Sequence, residues 1–198
     1  VAQKWIKGSM YGIRITATLV EDIKKVQRGE TPQNPAVTRL VQLAGLVDGA
    51  KYSDQYWQNN IGSVLGVQVG AKTFEDGRSE DIVDIYPVKK ATLEKQYKGA
   101  AGVAEALSDN PQLSGLDVFS DFQFLKNNFT LEGVLSNGEE RLMVRVSDLF
   151  PDSLSKRMDF VQPESWGPGH QTKPQNREGW LVISIAPDGT VTSDAYLV

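Results

Sequence analysis

The chain reads as an α+β fold: an antiparallel sheet of roughly five to seven strands, with helices, mostly N-terminal, packed on one face. Three observations carry this. Helical periodicity gathers early and alternating β-branched runs gather later. There is no regular strand–helix–strand alternation, which argues against a parallel doubly wound sheet. Two turn signals, Asn137-Gly138 and Pro187-Asp188-Gly189, each sit between alternating runs and mark hairpins. At 198 residues and 40% apolar residues, the expectation is one globular domain over residues 1–198.

The first segment admits two readings. Ile13, Ile15, Ala17 and Leu19 alternate with Arg14, Thr16, Thr18 and Val20, as in a half-buried strand. Leu19, Ile23 and Val26 are spaced as on a helix that Gly29 can stop. Either a strand to about Val20 precedes a short helix, the reading we favour, or one long helix runs from about Ala2 to Arg28. Val1 in first place points to processing or trimming upstream, where a signal or anchor remains open, and Gly8-Ser9-Met10 resembles a vector-encoded remnant.

The following elements are clearer. Asn34 and Pro35 open a helix whose Val37, Leu40, Val41 and Ala44 share a face. Ser53 to Asn60 forms a short capped helix carrying Tyr56 and Trp57. Ser63–Phe74 and Asp81–Val88 read as strands around an Glu75–Gly77 turn. Ala91–Ser108 reads as a helix weakened by Gly99 and Gly102. Leu116–Leu125 alternates like a strand. The Asn137-Gly138 hairpin is the most secure element on turn chemistry. A short helix is expected over Pro151–Met158, then an extended polar loop at about 160–179 with prolines at 163, 168 and 174. A second hairpin closes the chain.

Charge and composition exclude several chemistries. A formal net charge of −4 and a pI of about 5.1 argue against a duplex nucleic-acid binder, which concentrates Lys and Arg against phosphates. Residues 1–50 hold seven Lys/Arg against four Asp/Glu, and residues 101–150 hold three against eight. These blocks can attract within one fold or form complementary patches between subunits. No run approaches a membrane span. The absence of cysteine removes disulfides, thiol nucleophiles and Cys-ligated metals.

No cofactor signature is present. In Gly66–Thr73, Ala71 separates Gly70 from Lys72, so the phosphate-loop spacing fails. A Ser–His–Asp triad would need His170, the single histidine, and no Gly-x-Ser-x-Gly elbow accompanies it. His170→Ala is expected to leave folding unchanged. Oxygen-ligand metal binding stays open at Glu75, Asp76, Glu80, Asp81 and Asp84, although their spacing fits no EF-hand and an acidic turn explains them as well.

The loop at 160–179 carries Trp166 and His170, and Trp166 is an anchor candidate because tryptophan is enriched at binding hot spots. These features favour a non-enzymatic structural or assembly subunit of a surface, fibre or virion-type particle, with a protein partner or self-assembly through its loop and edge strands. An exported or particle-associated setting fits that reading. Two alternatives stand beside it. One is a saccharide or small-molecule binding module using Tyr56, Trp57 and Trp166. The other is a carboxylate-dependent hydrolase built on two converging acids.

Overall fold

The computed structural model describes residues 3–74, 76–149, 160–161, 171–172, 180–185 and 188–197. The fold is α+β and its two larger sheets are antiparallel. The chain divides into two compact units: Gly8–Asn137, and the two flanking stretches Val1–Lys7 and Gly138–Val198.

The Gly8–Asn137 unit is built on five strands in the order β4-β3-β2-β6-β5. They are β2 (Met10–Arg14), β3 (Val64–Thr73), β4 (Ser79–Pro87), β5 (Tyr97–Ala101) and β6 (Leu131–Ser136). Alternation divides the sheet's side chains between two cores. Tyr11, Ile13, Leu65, Val67 and Ile85 enter the larger one. There they meet α1 (Ala17–Gln27), α2 (Ala36–Leu43), α3 (Asp54–Asn60), α5 (Val103–Asp109), a 3-10 helix (Pro111–Val118) and α6 (Ser120–Asn128). Met10, Val64 and Val134 turn the other way, into a smaller core with Val88, Tyr97, Tyr86 and Leu93. Leu93 comes from α4 (Lys90–Gln96), the one helix that crosses from the β4 edge to the β5 edge. Helices therefore cover mainly one face, as the sequence predicts.

The strand-then-helix reading of the first segment holds, with an earlier boundary. The strand ends at Arg14, and the Thr16 hydroxyl accepts the Leu19 N–H to cap α1. Ser9 and Met10 are fully buried, so Gly8-Ser9-Met10 is part of the packed unit. The Ser9 hydroxyl donates to Asp109 and accepts the Ser136 N–H, while the Asn110 side chain donates to the Ser9 carbonyl.

Three expectations are overturned. The helix expected over Ala91–Ser108 is interrupted by β5, because Gly99 takes a φ of +115° that helical backbone cannot use. Leu116–Leu125 is no strand. Phe122 and Leu125 are buried three residues apart on α6, and Val118 is exposed. β6 and β7 (Glu140–Arg145) are not a hairpin, although Gly138 has the expected positive φ of 77°. Instead the Asn137 N–H donates to the Gln96 carbonyl and its amide side chain to that of Lys95. β7 pairs elsewhere. Gly133 explains the tight seat of α5 on β6: a Cβ there would lie 2.3 Å from the Gly102 carbonyl oxygen.

The second unit holds a four-stranded antiparallel sheet in the order β1-β7-β10-β11, from β1 (Gln3–Ile6), β7, β10 (Trp180–Ile185) and β11 (Val191–Leu197). α7 (Val146–Leu149) follows β7 and buries Val146. The β10–β11 hairpin is the one that Asp188-Gly189 predicts, with a register shift between Ile183 and Ile185. Within the polar loop, β8 (Phe160–Val161) and β9 (Gln171–Thr172) pair with each other. The helix expected over 151–158 lies outside the described residues. Among the described residues no helix is long and apolar enough to cross a membrane.

Candidate interaction site

The aromatic pair singled out in the sequence sits on α3. Ser53 caps this helix, its hydroxyl accepting the Tyr56 N–H at 3.3 Å. Trp57 turns inward and is fully buried in the larger core. Its ring centroid lies 5.2 Å from that of Tyr56, edge-on, and 5.9 Å from that of Tyr52. Tyr56 is half-buried, and burial first, then the neighbouring Tyr52, pushes its hydroxyl up to about 12. The Trp57 indole N–H has no hydrogen-bond partner among the described residues. Trp57 thus presents no ring face to stack on a sugar. The other two predicted binding residues, Trp166 and His170, lie outside the described residues.

The acidic stretch forms the tip and outer strand of a hairpin. The Arg78 guanidinium bridges Asp76 at 2.8 Å and Glu80 at 3.4 Å, and this contact holds the Asp76 carboxyl below the usual range. Burial pushes Asp84 up, partly offset by a hydrogen bond with Gln68. Among the described residues no three His, Asp or Glu side chains converge in a metal-binding arrangement. Glu75 lies outside the described residues.

That hairpin has a geometry the sequence reading missed. β2 pairs with β3 only over Val64–Val67. From Gln68 to Thr73, β3 pairs with β4 alone, through six registered pairs from Gln68↔Asp84 to Thr73↔Ser79. The result is a two-stranded ribbon running about 20 Å past β2 at ~3.3 Å per residue. Isolated two-stranded ribbons are marginal in water. This one is braced on one face, where Val69 and Val83 pack against the larger core and Gly115 of the 3-10 helix comes close to Val69. At its tip the Phe74 ring is flanked by Lys72 at 5.2 Å and Arg78 at 5.1 Å. A five-residue β2 beside strands of ten and nine residues is the signal that would have revealed the overhang.

Hydrogen-bond phase fixes which backbone groups face outward. Val88 donates to Val64 and Phe74 donates to the Arg78 carbonyl, both at 2.9 Å. Even-numbered residues of β4 therefore exchange bonds with β3. Ser79, Asp81, Val83 and Ile85 direct their N–H and C=O groups away from the sheet. At the opposite edge, β5 has a register shift between Tyr97 and Gly99 and pairs with β6 through Ala101↔Gly133. Its exposed basic side chain is Lys98. No protein-family model, curated protein or solved structure matches this chain.

Proposed function

We propose that the protein is a non-enzymatic assembly subunit, one that builds a fibre, surface layer or particle by protein–protein contact through its sheet edges. The observation that carries this reading is the β3–β4 ribbon. It extends about six residue pairs beyond the strand that flanks it, and its outer strand offers four residues with outward backbone groups. Long open edges template pairing with another chain, and proteins that remain monomeric shorten or cover them. Strand addition to such an edge is a recurring mode of subunit contact.

The test is light scattering on a sizing column across a wide concentration range. The intact chain is compared with a variant in which Gly70 and Ile82 are joined by an Asn-Gly turn. These two residues form a hydrogen-bonded pair, which suits a two-residue loop. Concentration-dependent association that is lost in the trimmed chain supports the reading. A strict monomer in both sinks it.

A further inference from the structure

We infer that the subunits join head to tail, the β4 edge of one copy adding to the β5 edge of the next. This rests on the assembly reading above and names its contact. The argument begins with charge. β4, Ser79–Pro87, carries Glu80, Asp81 and Asp84 and no base, and β5, Tyr97–Ala101, carries Lys98 and no acid. Asp81 and Lys98 are both exposed, and neither has a partner among the described residues. A two-fold contact would set β4 against β4, acids facing acids, or β5 against β5, bases facing bases. Like charges across a strand pair are destabilising and opposite charges favourable. The complementary partner for each edge is the other edge, and these are the two outer strands of one sheet.

Strand direction gives the symmetry. All four pairings in the β4-β3-β2-β6-β5 sheet are antiparallel, so its first and fifth strands run the same way. A second copy placed beside the first without inversion therefore meets it as a parallel pair, with evenly spaced bonds. Such a contact is heterologous and leaves one open β4 and one open β5 at the ends. The species formed are rings or extended chains, and growth does not stop at a dimer. β5 is short and bulged, features that discourage indiscriminate pairing. Charge then selects the strand that docks.

Charge reversal tests this directly. Asp81→Lys and Lys98→Glu change exposed side chains, and circular dichroism verifies that each variant folds. Asp81→Asn serves as the milder second variant if Asp81→Lys does not fold. Light scattering is expected to show association weakened by about tenfold or more in each single variant. An equimolar mixture of Asp81→Lys and Lys98→Glu should recover it, because each then meets an edge of opposite charge. Species larger than a dimer should accumulate in the intact chain. Association unchanged by either reversal, or ending at a dimer, overturns the head-to-tail contact while leaving the assembly reading in place. A strictly monomeric intact chain removes both.

Discussion

The Asp22 carboxylate, buried inside α1, accepts the backbone N–H of Gln33 at 2.6 Å, and its second oxygen accepts that of Asn34 at 2.9 Å. One side chain thus organises the connection between α1 and α2. Replacing it with alanine leaves two partly buried backbone donors without their acceptor. Asp22→Ala is expected to cost about 2–4 kcal/mol, and Asp22→Asn less, since its amide oxygen still serves one donor. Urea titration followed by far-ultraviolet circular dichroism checks both. A loss below about 1 kcal/mol for alanine contradicts this role.

Trp57 supplies a second measurement. It is fully buried among Tyr52, Tyr56 and the larger core, and its indole N–H has no partner among the described residues. Trp57→Ala should cost about 3–5 kcal/mol, the range for emptying a large aromatic site. Trp57→Phe should cost less than half as much, because no hydrogen bond is lost. A loss for Trp57→Phe close to that for Trp57→Ala would contradict this account.

Lys7 makes stability depend on pH. Burial foremost, and then Arg141, lower its pKa from 10.5 to about 7, against an opposing contribution from Glu139. Between about pH 7 and pH 10.5 the unfolded chain holds a proton that the folded chain has released. Unfolding therefore takes up a proton in that window, and stability rises with pH across it. Below about pH 7 both states are protonated and the full cost of the buried charge applies. Lys7→Met removes this dependence. Its stability relative to the intact chain should be greatest near pH 6 and shrink toward about pH 10 in paired urea titrations. A constant difference at all pH values would rule the coupling out.

Local chemistry in the sequence located turns and caps well. Asp188-Gly189 does join two paired strands, and Ser53 caps the short helix it precedes. Partner choice was not legible. Gly138 adopts the left-handed backbone that Asn-Gly favours, yet the runs on either side pair with different sheets. A turn fixes chain direction over two residues, whereas strand pairing is decided by distant side chains. The alternation in Leu116–Leu125 misled for a related reason. Phe119, Phe122, Phe124 and Leu125 fit either period, and burial of Phe122 and Leu125 on one helix face settled it. For the interaction site, the sequence places Tyr56 and Trp57 on one short capped helix, and periodicity over seven residues does not separate a binding ring from a core ring such as Trp57. The projecting ribbon was hidden because its length matters only relative to β2, a strand more than fifty residues earlier.

The division of the chain at Lys7 and Asn137 also sets an order of events during synthesis. β1 pairs through Gln3↔Met143 and its neighbours, so its partner leaves the ribosome about 140 residues after it does. At ~5–20 residues per second that interval is roughly 7–28 s. During it the Gly8–Asn137 unit is made from end to end, whereas β1 has none of its sheet. β1 is thus made before its whole sheet and placed only after it, and in that interval it is a strand without a ladder, open to pairing with a neighbouring nascent chain.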